Sequence, residues 1–276
     1  MNAQMLNRHA EFMANAKLVT DFASDLAAVE AVILLGGLAR GYCDDSSDLD
    51  ISVIVSDADL VRWRRDFAKL AMEIESGSGI ETDIEVHSFD GFYSQKWGEV
   101  ERFTFHGCRL ALDRNGRVGR AIQEKLEVPR ELWTRRTVEC CIYLSWYACP
   151  EPPHPSIAEI WVDREDLAQA HWCLNYACEL FVQLAFSLNQ EFLPPAKWRL
   201  SYLRRLKWLP DGMMELLQTM MTMSSIDEEN LHSRLRAAGE LWPRMMERVR
   251  SVESMDLAAM QRYYVDKIVY GPGVED

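Results

Sequence analysis

Apolar and polar residues alternate with two different periods over the first 120 positions. Apolar side chains recur at helical spacing over residues 4–29, which predicts a helix. A short apolar run at 32–35 ends in two glycines and predicts a strand followed by a turn. Further strands are predicted at 51–55, 80–89 and 109–112, with an amphipathic helix at 60–75. The first part of the chain is therefore predicted to mix α and β structure.

From residue 121 onward the apolar pattern is helical throughout. Helices are predicted at 131–149, 158–189, 196–209, 212–223 and 227–254. Prolines at 150–155 interrupt this pattern, because proline cannot continue a helix. The predicted fold class is α+β, with a mixed sheet flanked by helices in residues 1–120 and an all-α helical domain in residues 121–276.

Two carboxylates stand at the start of the predicted strand 51–55, in the stretch LLGGLARGYCDDSSDLDISVIV. Asp48 and Asp50 are two residues apart, so strand geometry points them to one side, where they would repel each other. A divalent cation removes that conflict, and oxygen ligands suit magnesium. Gly36 and Gly37 allow close approach of a ligand, and their amides can cradle phosphate oxygens. The stretch predicts a magnesium site for nucleotide chemistry.

A third carboxylate is expected on the next predicted strand, since phosphoryl-type transfer needs a held metal and an oriented hydroxyl. Alternation puts Glu81, Asp83 and Glu85 on one face of that strand. Glu85 is predicted to lie deepest among apolar neighbours and is the preferred candidate, with Asp83 in reserve. The sequence leaves open whether Glu85 is a third metal ligand or the general base.

These residues match a known family. GGLARG at 36–41, SDLD at 47–50 and the β-branched strand after it resemble the glycine-serine plus DxD signature of the polymerase-β-like nucleotidyltransferases. Glu85 falls where the aminoglycoside adenylyltransferases of this superfamily have a glutamate taken to be the catalytic base. Lys197 matches a lysine of their helical domain that reaches the nucleotide phosphates. One departure is Gly37, which stands where the family usually has serine, so a hydroxyl contact to phosphate is missing.

The resemblance implies a reaction and its parts. Two Mg²⁺ ions, about 3.5–4 Å apart in such sites, would be held by Asp48 and Asp50. A hydroxyl of a small-molecule, aminoglycoside-like acceptor would attack the α-phosphate of a nucleoside triphosphate, with ATP as the favoured donor, and release pyrophosphate. Ser47 would hydrogen-bond phosphate, Arg40 would either contact phosphate or brace the turn, and the helical domain would close the active-site cleft.

Charge narrows the acceptor class. The chain of 276 residues has a net charge of −13, which disfavours long nucleic acid, because lysine and arginine supply most of that affinity. A cationic acceptor fits this balance, although negative charge that serves only solubility explains it equally well. Two alternatives stay open: a nucleotidyltransferase that modifies a protein side chain, and a nucleotide-binding regulator that has lost turnover.

Location and redox state follow from other features. No apolar run approaches the roughly 20 residues that span a bilayer, and the first residues lack the pattern of a signal peptide. A cytoplasmic protein without membrane association is therefore expected. Seven cysteines without metal-type spacing are predicted to be reduced thiols. The sequence leaves the oligomeric state open.

Overall fold

The computed structural model describes residues 7–56 and 60–271 of the chain. The chain divides into two compact units, the first ending at residue 127. The boundary expected at residue 120 falls inside a helix, Arg117–Leu126. That helix packs on the sheet of the first unit through Val118 and Ile122, so the first unit includes the whole helix.

A four-stranded mixed sheet forms the centre of the first unit. Its strands are β1 Val29–Leu34, β2 Leu49–Val55, β3 Thr82–Ser88 and β4 Arg109–Asp113. They lie in the order β3-β2-β1-β4. β1 runs antiparallel to both β2 and β4, and β2 runs parallel to β3. Consequently, one end of the sheet contains the C-terminal end of β1 and the N-terminal ends of β2 and β3.

Helices cover both faces of this sheet. They are α1 His9–Ser24, α2 Gly36–Ala39, α3 Leu60–Ser78, α4 Phe89–Ser94, α5 Glu99–His106 and α6 Arg117–Leu126. Phe12 and Phe67 pack from α1 and α3 against one face, with Val53 of β2. Phe92 and α6 pack on the other face around Ile54. α3 also makes the long connection that parallel strands require. The predicted mixed sheet flanked by helices is confirmed.

The second unit is helical throughout the part that the structure describes. Its helices are α7 Arg130–Tyr147, α8 Ile157–Asp163, α9 Leu167–Leu188, α10 Arg199–Leu203, α11 Met213–Met221, α12 Glu228–Glu253 and α13 Leu257–Tyr263, with a 3₁₀ turn at Ala196–Trp198 and a π-helical segment at Tyr264–Val269. α9 is apolar around most of its circumference, as a central helix must be. The predicted all-α half is confirmed.

A buried arginine ties three helices of the second unit together. Arg234 of α12 is fully buried and donates to the carbonyl of Met220 at 2.6 Å and to Nδ1 of His171 at 2.8 Å. Because a guanidinium only donates, Nδ1 accepts this bond, and the other ring nitrogen, Nε2, donates to the carbonyl of Asp227 at 3.1 Å. The network joins α9 and α12 to the end of α11.

Two predicted helices of the second unit were wrong in extent. The segment 158–189 is two helices, because Glu165 takes a left-handed φ of 59° and Asp166 then caps α9. The segment 196–209 leaves helical geometry after residue 203. There the amide and carbonyl of Trp208 bond to the side chain of Asn189, at 2.9 Å each. Backbone groups held by a side chain are not available for a helix.

The first predicted helix, 4–29, also differs. Residues 4–6 lie outside the described residues, and α1 ends at Ser24. β1 then begins at Val29 rather than at residue 32, since its first residues already pair with β2.

All seven cysteines are free. Burial raises the pKa of the Cys140 and Cys149 thiols to about 12, as expected for thiols packed as small apolar groups. Among the described residues, none of the helices has the length and apolarity that crossing a membrane requires.

Candidate functional site

Strand pairing brings the glycine turn and Asp50 together. β1 and β2 are antiparallel, with Leu34 opposite Ile51. Leu35, the first residue after β1, donates its amide to the carbonyl of Asp50 at 3.0 Å. The glycines that follow Leu35 therefore lie next to the first residues of β2, although they are more than ten positions away in sequence.

Asp50 lies against the main chain of Gly36. The φ of Gly36 is 56°, a left-handed conformation that glycine adopts without steric cost. A Cβ at this position would collide with Oδ2 of Asp50 and stand 3.1 Å from its Cγ. Glycine is thus required twice, for the backbone conformation and for the space that the carboxylate fills. The carboxylate is held at the first residue of α2.

The parallel register decides which acidic residue of β3 lies beside Asp50. Asp83 pairs with Asp50, and Glu85 pairs with Ser52. Paired residues on neighbouring strands point to the same face of a sheet, so Asp83 is the direct neighbour of Asp50 and Glu85 is one step farther along. Asp83 and Glu85 are both exposed, so the expected burial of Glu85 among apolar neighbours is not found: its side chain is 64% exposed and contacts His87 at 3.2 Å.

Asp48 and Ser47 end the loop that leads into β2. Asp48 is half-buried directly before the strand. The hydroxyl of Ser47 accepts from the amide of Asp44 at 2.9 Å and donates to its Oδ1 at 3.1 Å. Ser47 is therefore engaged within the loop, and its contact with phosphate stays a prediction.

Asp44 is the buried centre of this loop. Its carboxylate accepts from the hydroxyl of Tyr42 at 2.5 Å and from the amide of Ser46 at 2.9 Å. These two bonds, with that of Tyr42 the larger cause, hold the pKa of Asp44 below its usual value. Asp44 was not among the residues predicted for the site, since its only sequence signal is the Asp-x-x-Ser spacing typical of such turns.

Arg40 braces the turn. Its Nη2 donates to the carbonyl of Phe103 at 2.7 Å and its Nη1 to the carbonyl of Gly36 at 3.3 Å. The guanidinium also stands over the ring of Phe103, 4.4 Å from the centroid. Of the two roles open for Arg40, these contacts favour bracing, because they tie α2 to α5.

Position 37 has no room for the serine that nucleotidyltransferases of the family named above usually have there. A Cβ on Gly37 would collide with the carbonyl oxygen of Tyr42. The amide of Tyr42 in turn donates to the carbonyl of Gly37 at 2.9 Å, which fixes this approach. The missing hydroxyl is therefore a consequence of how tightly the turn closes.

The carboxylates suit magnesium that arrives with a nucleotide. Among the described residues, no group of three or more His, Cys, Asp or Glu side chains is placed to hold a metal ion by itself. Mg²⁺ is commonly bound by one or two carboxylates together with substrate phosphates and water. The donor set of Asp48 and Asp50, beside a glycine turn, fits that mode of binding.

Lys197 belongs to the second unit. It is exposed on the 3₁₀ turn Ala196–Trp198, and its contact with nucleotide phosphates stays a prediction. Glu179 of α9 is paired with Arg199 and accepts from Gln183 at 3.0 Å. It is therefore less suited to binding an amino group of an acceptor than an unpaired carboxylate would be.

Comparisons with known proteins add little. No family model and no curated protein matches the chain. A solved structure, a nucleotidyltransferase-like protein from Exiguobacterium sibiricum 255-15, aligns over 93% of this chain and 88% of its own, with 11% identity and a TM-score of 0.43. A similarity at this level carries no argument about function.

Proposed function

We propose that the protein transfers a nucleoside monophosphate, with ATP as the favoured donor, to a hydroxyl of a small cationic acceptor and releases pyrophosphate. One observation carries the proposal: the carboxylate of Asp50 is held against the main chain of Gly36, with Asp83 beside it across the parallel register. Phosphate-binding amides and metal-binding carboxylates must meet at one point for this chemistry, and the closeness of the glycine turn to Asp50 and Asp83 supports the proposal.

Each residue of the site has a role in this proposal. Asp48 and Asp50 would hold magnesium, which when bound neutralises the triphosphate charge and makes the acceptor hydroxyl more acidic. The amides of Gly36 and Gly37 donate to phosphate oxygens. Asp83, as the neighbour of Asp50, orients the acceptor hydroxyl and accepts its proton.

Two predictions from the sequence remain beside this assignment. Glu85 is the alternative base, since it lies on the same face of β3 one step away. Lys197 is the proposed cation from the helical unit that pairs with the phosphates. A small cationic acceptor is favoured over nucleic acid by the net charge of −13.

A second candidate function has specific support. In a nucleotide-binding regulator without turnover, the turn would bind phosphate through its backbone alone. The tight closure at Gly37, which excludes a serine hydroxyl, favours this alternative. The retained pair Asp48 and Asp50 opposes it, because binding without transfer does not need two carboxylates at the phosphate site.

The test is pyrophosphate release from ATP with magnesium against aminoglycosides, lincosamides and a no-acceptor control. We compare the native protein with Asp50→Asn, using Asp45→Asn as the matched control. Asp45 is a carboxylate of the same loop, 80% exposed and paired only loosely with Arg8 at 3.3 Å. Loss of even an outer-shell metal contact costs roughly 10- to 100-fold, so Asp50→Asn is expected to lose at least that much.

The outcomes separate the candidates. Acceptor-dependent release that Asp50→Asn abolishes and Asp45→Asn retains supports transfer. If ATP raises the melting temperature but no acceptor stimulates release, the regulator is the better description. Full release by Asp50→Asn contradicts the site assignment.

A further inference from the structure

Five aromatic side chains form one connected cluster on the surface of the second unit. They come from α7, α9 and the π-helical segment: Tyr143, Trp146, Tyr147, Tyr176 and Tyr264. Tyr143 is the hub, with ring centroids 5.3 Å from Trp146, 6.3 Å from Tyr176 and 6.1 Å from Tyr264. We call this group the aromatic cluster.

Helical spacing explains how α7 contributes three of these rings and an acid. Glu139, Tyr143, Trp146 and Tyr147 are separated by four, three and one positions, so they share one face of α7. Tyr176 of α9 meets the ring of Tyr147 at 4.9 Å. The hydroxyls of Tyr143 and Tyr264 lie 3.2 Å apart and fix the third element against α7. The cluster is therefore held in place by three separate segments.

The cluster remains open to solvent. Trp146 is 42% exposed and Tyr176 38% exposed, in a unit whose core buries most of its large apolar side chains. Exposed aromatic side chains gathered in one patch are typical of binding surfaces. Among the described residues, no lysine or arginine is seen stacked over any of the five rings, whereas Arg205 and Arg248 each cover a ring elsewhere in this unit.

Glu139 gives the cluster a negative charge. Burial is the main cause that raises the pKa of the Tyr176 hydroxyl, and Glu139 adds to it. The pKa of Tyr264 rises to about 12, first through its bond with Tyr143 and then through burial, again with a contribution from Glu139. One carboxylate thus acts on rings of two different segments. Its pairing with Arg135 is long, 3.4 Å, and partly exposed, so it holds Glu139 only weakly.

We infer that the aromatic cluster with Glu139 is a binding site for an organic ammonium ion of a small molecule. Ring faces carry partial negative charge and attract cations, and a carboxylate beside them strengthens that attraction while it repels anions. A neutral apolar ligand would not use Glu139, and a simple metal cation would not use the rings. The assignment of this site to the amino groups of an acceptor rests on the function proposed above. The binding of organic cations in general does not depend on that function.

The test measures direct binding of spermidine to the full chain by calorimetry, without nucleotide or magnesium. Trp146→Leu removes a ring and keeps an apolar side chain, and Glu139→Gln removes the charge and keeps the shape. The matched controls are Trp198→Leu, a tryptophan of similar exposure in the same unit, and Glu240→Gln, an exposed acid of α12. Far-ultraviolet circular dichroism and melting temperature check that each variant is folded.

We expect Trp146→Leu and Glu139→Gln each to weaken spermidine binding about tenfold, equivalent to about 1.4 kcal/mol, while both controls bind as the native protein does. Absence of binding by the native chain overturns the inference. So does equal weakening by Glu240→Gln, which would indicate attraction to overall charge, and so does unchanged binding in Trp146→Leu. The calorimetric experiment measures binding and no nucleotide transfer. A negative result in the acceptor screen therefore does not change its interpretation.

Discussion

Replacing Gly36 with alanine tests whether the turn exists to hold Asp50. Two costs are expected. A left-handed backbone costs a residue with a Cβ about 1–2 kcal/mol, and the new Cβ displaces the carboxylate of Asp50, whose rotation away from its preferred rotamer costs about 1 kcal/mol. The free energy of unfolding should therefore fall by about 2–3 kcal/mol, and nucleotide transfer should be lost because Asp50 has moved.

Two other glycines separate these costs. Gly41 and Gly79 also have left-handed φ, of 76° and 69°, but a Cβ on either meets nothing within 4 Å. Gly41→Ala and Gly79→Ala should thus show the backbone cost alone and keep transfer. The gain that alanine makes by restricting the unfolded chain is common to all three variants, so it cancels in the comparison.

The assay combines urea unfolding with pyrophosphate release. An Asp50→Ala background removes the two atoms that crowd an added Cβ at Gly36, Oδ2 and Cγ, and leaves the Cβ of position 50 at 3.5 Å, an ordinary contact. The extra cost of Gly36→Ala over Gly79→Ala should therefore disappear in that background, as a double-mutant cycle would report. If Gly36→Ala keeps transfer, or if its extra cost is the same with and without the Asp50 carboxylate, the reasoning about this contact is refuted.

Three further predictions concern the same unit. Asp83→Asn should lower transfer at least tenfold more than Glu85→Gln, because Asp83 pairs with Asp50; equal kcat values would contradict this. Gly37→Ser should lower both the melting temperature and transfer, since its Cβ collides with a carbonyl oxygen; higher activity would show that the turn adapts. The lowered pKa of Asp44 means that its ionised form stabilises the fold above its unfolded pKa and that this contribution is lost as pH falls through the folded pKa. Urea unfolding should therefore show Asp44→Asn less stable than the native protein at pH 7, with the difference shrinking towards pH 3, and a constant difference would argue against the carboxylate bonds as its cause.

Local patterns were sufficient to predict the elements that carry the site. The apolar runs predicted the strands of the first unit. The glycines and carboxylates in residues 36–50 indicated the end of the sheet where the glycine turn meets the start of β2. This worked because strands that follow each other in sequence usually pair, which brings the turn after β1 next to the start of β2. The same periodicity gave the all-α character of the second unit.

What failed depended on contacts between distant positions. Alternation placed Asp83 and Glu85 on one face, but only the register of β3 on β2 shows which of them lies beside Asp50. Of the two roles that the sequence left open for Arg40, bracing is favoured only by its contact with Phe103, a partner 63 positions away. The helix predicted at 196–209 ends at Leu203, and the backbone of Trp208 is instead bonded to Asn189, 19 positions away. No local pattern contains such pairings.

The loop before β2 has a consequence for substrate choice. Asp44 and Ser47 satisfy each other, and Tyr42 closes back onto Gly37, so the loop takes its shape from its own hydrogen bonds. When a triphosphate that fits this loop binds, ordering the loop costs little free energy. One that does not fit is unable to reshape it, since that would break several bonds at once. Under the proposed function, the loop would therefore select the donor nucleotide through its preformed shape, which excludes triphosphates that do not fit, and not by induced fit.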